Sequence, residues 1–237
     1  MTFKPAIMST AGYNAQNGVK VLVYGRAAVG KTPLAATMSR PLILATEDGL
    51  GTVAAYNIPY IRISTRQDLK DYAAWLKDSK NLVNFDWIVL DSVSNLTQII
   101  FTEIVKSMPA CKEPRKFYGE LQDAVIPFLQ TLFELNKNIM VTAWQGEETN
   151  PAGAFIRYIP STKGQAIANY LMHFFDATLH MALHQVQQQQ QDGSVQNVTI
   201  PYLQTREFNY TFARDRSRKL ADYEPANMTE LLNKIVH

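Results

Sequence analysis

From Val19 to Trp144, short apolar runs alternate with longer amphipathic stretches. Val19–Tyr24, Leu42–Thr46, Trp87–Leu90 and Asn138–Trp144 are rich in Val, Ile and Leu and too short for helices, so each is predicted to be a buried strand. Between them, apolar positions recur at helical spacing. Gly30–Arg40 is predicted as a helix, with Pro33 in the first turn, where a missing N–H costs little, and Pro41 as its stop. Gln67–Ser79 places Leu69, Tyr72, Ala73 and Leu76 on one helical face. Asn95–Ser107 and Tyr118–Leu135 are two further helices, joined by a basic loop at Met108–Lys116. Strand and helix alternating in this way predict right-handed crossovers and a parallel sheet with helices on both faces.

The pattern changes after Trp144. Gly146–Thr162 lacks a clear period and is expected to be a loop, followed by a helix at Lys163–Phe174. Asp176–Gln191 and Ser194–Tyr202 flank Asp192-Gly193, a strong hairpin-turn pair, so they are expected to be antiparallel strands. Phe208–Ala213 is expected to be another strand and Met228–Val236 a terminal helix. The expected fold class is therefore α/β, a mostly parallel sheet flanked by helices and extended by C-terminal antiparallel strands. Residues 1–18, polar and containing Gly12, Asn14, Asn17 and Gly18, are expected to form an N-terminal arm, with residues 19–237 as the domain. Gln187–Gln191 is a low-complexity tract, read as a polar face of the hairpin.

Composition narrows the class. The 237 residues are 46% apolar, enough for a sizeable core and too apolar for a disordered chain. Lys and Arg number 23 against 21 Asp and Glu, which excludes a polybasic tail protein but allows a local basic face. The lone Cys111 can form no internal disulfide, which points to a reducing compartment. Met1–Val19 has no apolar core of signal-peptide length, and no run of about 18 apolar residues exists. The expected location is the cytoplasm, with no membrane partner.

The chemistry concentrates at Gly25-Arg26-Ala27-Ala28-Val29-Gly30-Lys31-Thr32, which satisfies G-x-x-x-x-G-K-[ST] between a strand and a helix. Glycines let the backbone wrap phosphates closely, and the N–H groups of such a loop favour an anion. These residues and the following Pro33 are the candidate nucleotide contacts. Lys31 would reach the β- and γ-phosphates and the Thr32 hydroxyl would ligate Mg²⁺. Ile88-Val89-Leu90-Asp91 is an apolar strand ending in an acid, so Asp91 is the second candidate for holding the metal. Hydrolysis also needs a base to orient water. Many P-loop ATPases carry a Glu directly after the strand-end Asp, but here that position is Ser92. Glu47, at the end of the neighbouring strand, supplies the carboxylate, because ligands of open parallel sheets sit at the strands' carboxyl ends. Asp48 is the alternative.

Three pieces together resemble the RecA-type recombinase core: the P-loop, Thr46-Glu47-Asp48-Gly49-Leu50, and Val89-Leu90-Asp91-Ser92-Val93. The compact length and Phe212-Ala213-Arg214-Asp215-Arg216 further resemble phage-encoded nucleotide-binding proteins, some of which are RecA-like single-strand annealing ATPases. The resemblance spans about Lys20 to Ile235. It implies ATP as the nucleotide, and no guanine-reading Asn-Lys-x-Asp is present. It implies Glu47 as the catalytic glutamate and a γ-phosphate sensor at the end of the next core strand. Gln145 is favoured there because its amide both donates and accepts, while Trp144 is the other register. It also implies self-association as a ring or filament, with Arg214 and Arg216 reaching a neighbour's γ-phosphate.

The same resemblance implies two loops that contact single-stranded DNA. The first, Lys106–Phe117, holds Lys106, Lys112, Arg115 and Lys116 against Glu113. The second, Gly146–Gln165, interleaves Phe155, Arg157, Tyr158 and Lys163, a pairing of stacking and phosphate contacts suited to single strands. The expected function is Mg²⁺-dependent ATP hydrolysis coupled to annealing or strand pairing in phage recombination, in the host cytoplasm, with a phage single-strand binding protein as a possible partner. A helicase-loader or motor-accessory ATPase, a P-loop kinase and a nucleotide-gated DNA-binding scaffold with little hydrolysis stay open as alternatives.

Overall fold

The apolar runs become strands because their residues are β-branched or aliphatic and buried on both faces. A computed structural model describes residues 17–189 and 194–237, so most of the N-terminal arm and the Asp192-Gly193 turn lie outside the described residues. The strands are β1 (Lys20–Gly25), β2 (Pro41–Ala45), β3 (Tyr60–Arg62), β4 (Trp87–Asp91), β5 (Asn138–Thr149), β6 (Phe155–Ser161), β7 (Ala177–Gln189), β8 (Val195–Gln204), β9 (Arg214–Asp215) and β10 (Tyr223–Pro225). The helices are α1 (Arg66–Lys77), α2 (Val93–Ser107), α3 (Pro114–Glu134), α4 (Gln165–Phe174) and α5 (Met228–Val236).

One sheet runs β10-β8-β7-β1-β5-β4-β2-β3, with β6 paired to β5 and β9 to β7. The pairs from β7 through β1, β5, β4 and β2 to β3 are parallel. The pairs β5–β6, β7–β8, β7–β9 and β8–β10 are antiparallel. The expected α/β class, a parallel core with added antiparallel C-terminal strands, is thus the observed one. Period-two alternation splits the core between the faces. Leu22, Leu44, Ile88, Leu90 and Val141 pack with α1 to α4, while Val21, Val23, Ile43, Val89 and Met140 pack against α5 and two short 3-10 helices.

Several boundaries depart from the sequence expectation. The helix expected at Gly30–Arg40 is a 3-10 helix of only six residues, Thr32–Thr37. Pro41 has no N–H for the Thr37 carbonyl, which accepts from the Thr229 hydroxyl of α5 instead, and the Thr37 hydroxyl accepts from Met228 N at 2.9 Å. The helix is therefore docked by tertiary contacts rather than extended. The loop expected at Gly146–Thr162 is a hairpin: β5 runs on to Thr149 and pairs with β6, Trp144 facing Ser161. Its turn is closed by the Asn150 carboxamide oxygen accepting from Ala152 N and Ala154 N, with Gly153 at φ +81°. The strand expected at Phe208–Ala213 is a turn, because Asn209 and Tyr210 adopt left-handed φ of 50° and 59°. The regular pairing that follows is the two-residue β9. β3 and β10 are three residues each and half exposed, so they leave no apolar run to read. The β7–β8 pairing matches expectation, from His180 facing Gln204 to Gln189 facing Val195.

Candidate nucleotide-binding site

The strand register aligns the carboxyl ends that carry the chemistry. Gly25, the last residue of β1, stands opposite Trp144 on β5, and Tyr24 opposite His180 on β7. Asp91, ending β4, stands opposite Ala45, ending β2. The Gly25–Thr32 loop leaves this edge and returns through the 3-10 helix. Two glycines in it are steric requirements. A Cβ on Gly25 would lie 2.3 Å from the Met181 carbonyl of β7, and Gly30 has φ +104°. Ala28 also takes a left-handed φ, 63°. Lys31 curls back over the loop, its Nζ donating to Gly25 O at 3.0 Å and Arg26 O at 2.8 Å. Burial lowers the Lys31 pKa, and the charges of Asp91 and Glu47 oppose that shift.

Thr32 and Asp91 meet 59 residues apart in sequence: the Thr32 hydroxyl donates to Asp91 Oδ2 at 2.6 Å. The Thr142 hydroxyl, on β5, donates to Asp91 Oδ1. Asp91 is 6% exposed, and burial pushes its carboxyl above the ordinary range, against the pull of both hydroxyls. Hard oxygens from a hydroxyl and a carboxylate suit Mg²⁺, which takes one or two protein groups and completes its shell with phosphate and water. Among the described residues no group of three or more His, Cys, Asp or Glu forms a dedicated metal cage. The Thr32–Asp91 pair fits Mg²⁺ in that way.

The strand-end turns are tied together behind this pair. The Thr46 hydroxyl accepts from Ser92 N at 2.9 Å, and Asn95 Nδ2 donates to Thr46 O at 2.5 Å. The Asp91–Ser92 peptide is cis. Glu47 follows Thr46 and is half-buried, and its Oε1 accepts from the Ser92 hydroxyl and from the Trp144 indole N–H at 2.9 Å. Asp48, the alternative carboxylate, is 90% exposed and ion-paired to Arg62. Gly49 lies against the Thr32 hydroxyl, since a Cβ there would come within 3.7 Å of it. The Glu47 turn and the P-loop are therefore neighbours.

The two sensor registers face different ways, as adjacent strand residues must. Trp144 reaches Glu47. Gln145 lines a recess of about 410 Å³ with Arg26, Glu147, Tyr158, His180 and Thr211. His180 Nε2–H donates to Gln145 Oε1 at 2.9 Å, while its buried Nδ1 has no partner. Desolvation lowers the His180 pKa from 6.5 to about 4. The unfolded chain therefore binds more protons than the fold between these values. Stability is full above pH 6.5 and falls as pH drops toward 4, by up to about 3 kcal/mol. Urea unfolding at stepped pH is expected to show this acid limb, and His180→Asn to flatten it.

Arg214 and Arg216 lie elsewhere in the same chain. Arg214 pairs with Thr178, level with Leu22, about 10 Å toward the amino edge from Gly25. Its Nη2 donates to Met172 O at 2.5 Å, and Arg216 Nη2 to His173 O at 2.6 Å, so both cap the carboxyl end of α4. Of the DNA candidates, Lys163 is brought near the start of α3, because the Phe101 ring beneath it packs on Phe117 and Tyr118. Lys112 is exposed between α2 and α3, and Arg115 and Lys116 occupy the first turn of α3, Lys116 paired to Glu113 at 3.1 Å. Phe155 is exposed and lies 4.9 Å from the Tyr158 ring. Arg157 is held by Glu148 at 2.6 Å and Glu207 at 2.7 Å, and Lys163 Nζ sits 4.8 Å over the Phe101 ring.

Sequence reasoning had not singled out Thr142, Trp144 as a partner of Glu47, or His180 as a partner of Gln145. The period-two spacing of Thr142 and Trp144 puts them on one face, but only the β4–β5 register says what that face meets.

A glycine loop with Lys31 and Thr32, leaving a central parallel strand beside a buried strand-end Asp91, defines a P-loop nucleotide-binding domain. The AAA domain family matches residues 17–217, and the chain belongs to that family. Among solved structures, a KaiC-like protein of the hyperthermophilic archaeon Pyrococcus horikoshii OT3 is similar over 81% of this chain and 90% of its own, at 12% identity and a TM-score of 0.42. No curated protein matches the chain significantly. Among the described residues no helix is long and apolar enough to cross a membrane.

Proposed function

We propose that the chain binds ATP with Mg²⁺ at the Gly25–Thr32 loop and hydrolyses it, with Glu47 as the base. The observation that carries this reading is the convergence of Lys31, Thr32, Asp91 and Glu47, from three separate segments, at one sheet edge. Thr32 and Asp91 would hold Mg²⁺, which would supply charge neutralisation on the phosphates. Lys31 leaves its two loop carbonyls for phosphate oxygens. Glu47 orients a water and takes its proton at the carboxylate oxygen that Ser92 and Trp144 do not occupy. Gln145, beside Arg26, serves as the sensor.

We further propose that turnover is coupled to single-stranded DNA in an oligomer. Lys112, Arg115, Lys116 and Lys163 are the cations for phosphates and Phe155 is the stacking surface. Arg157 would contribute only by exchanging its two carboxylates for phosphate. Arg214 and Arg216 would act on a neighbouring subunit's nucleotide, exchanging their α4 carbonyls. Annealing in phage recombination is the use this reading favours.

Steady-state ATP turnover with no DNA, with single strands and with duplex tests both halves, beside a Lys31→Ala control. The expected result is strong stimulation by single strands that the control lacks. If about four phosphates are neutralised, the log–log salt slope of binding is roughly −3. Turnover indifferent to DNA overturns the coupling and leaves the ATPase standing.

A further inference from the structure

Glu47 is held in an asymmetric way. Both donors that reach it, the Ser92 hydroxyl and the Trp144 indole N–H, bond the same oxygen, Oε1. Among the described residues no donor reaches Oε2. A carboxylate fixed by one oxygen presents the other in a defined direction, and an indole suits the holding role because it donates and cannot accept. It therefore fixes the carboxylate without competing for a proton. Trp144 is itself braced. Its backbone stands opposite Gly25 in the sheet, its backbone N–H donates to Oγ of Ser94 on α2 at 2.7 Å, and that Oγ donates to Ser161 O on β6 at 2.5 Å. Trp144 is 42% exposed, so it lies at the mouth of the site and not in the core.

We propose that Trp144 is a positioning residue for hydrolysis, which aims Glu47 Oε2 at the attacking water by holding Oε1 through its indole N–H. The inference rests on Glu47 being the base. It assigns the strand-end position next to Gln145 a part in the reaction through the base and not through the γ-phosphate.

The test combines kinetics with a spectroscopic measurement. Trp144→Phe keeps an aromatic ring and removes the N–H. Its kcat is expected to fall about ten- to a hundredfold, the range for one hydrogen bond to a charged acceptor, with KM for ATP within about twofold. In a Glu47→Gln background the same substitution is expected to add almost nothing, because its effect passes through the carboxylate. Independently of turnover, the Trp144 indole N–H resonance, assigned with the Phe variant, is expected to shift between wild type and Glu47→Gln. An unchanged kcat in Trp144→Phe beside a crippled Glu47→Gln overturns the proposal. So does a raised KM at constant kcat, which would make the ring a nucleotide contact. A resonance indifferent to Glu47 also overturns it, and if the Phe variant folds poorly the resonance is assigned through the Trp144 backbone amide instead. Wild-type turnover matched by Glu47→Gln instead removes Glu47 as the base, and both readings fall together.

Discussion

Glu47→Gln is expected to lower ATP turnover by about 10²–10⁴-fold while nucleotide affinity stays within a few-fold, because a general base acts on the water and not on the bound phosphates. The substitution keeps the side chain's size and one carbonyl oxygen able to accept from Ser92 and Trp144, so the turn around Thr46 keeps its shape. It removes the oxygen that can take a proton. Single-turnover assays with fluorescent nucleotide binding separate the two effects. Asp48 cannot substitute readily, since its carboxylate is exposed and paired with Arg62. Unchanged turnover would remove Glu47 from the chemistry and reopen the alternatives of a kinase, whose acceptor replaces water, and of a scaffold with little hydrolysis.

Lys31→Ala is expected to have the second large effect, on binding as well as turnover. Of the two cations in the loop, Arg26 is exposed and Lys31 is the one half-buried beside Asp91 and Glu47, whose charges counter the pKa lowering that burial imposes. Without it the loop keeps its N–H groups and the exposed Arg26 but loses the half-buried charge proposed to meet the phosphate oxygens. A loss of about 10²–10³-fold in turnover is expected from removing one such preorganised donor, with weaker nucleotide affinity measured by calorimetry. The variant also leaves the Gly25 and Arg26 carbonyls without the Nζ, so a drop of a few degrees in melting temperature is expected. A larger drop would show that the loop needs Lys31 to fold. Affinity equal to wild type would show that phosphate does not bind there.

Much of this site was legible in the chain. Lys31, Thr32 and the two loop glycines announce themselves by spacing, and the positive φ at Gly30 is local to the motif, whereas the contact that forbids a Cβ on Gly25 comes from Met181 on β7. Asp91 and Glu47 were legible as strand-end acids, because buried strands in a parallel sheet deliver their last residues to one edge. The core strands were legible for the same reason: β1, β2 and β4 are buried at every position, and no other local structure hides four or five consecutive apolar residues as cheaply. The hairpin of β5 and β6 was not, because Gln145–Thr149 is polar while β6 exposes the apolar Phe155 and Ile156 and buries the consecutive Ile159 and Pro160, so neither strand shows an alternating buried face.

The sequence by itself therefore determined the class of fold, the phosphate loop and the two carboxylates, all set by local spacing and by burial that each segment needs on its own. Only the tertiary structure decided the partners. Pairing register put Thr142 on Asp91, Trp144 on Glu47 and His180 on Gln145, and the docking of α5 cut the helix after the loop to six residues. It also turned Arg214 and Arg216 onto α4 and surrounded Arg157 with two glutamates. Such contacts join residues tens of positions apart. Their energy comes from geometry that no single segment carries.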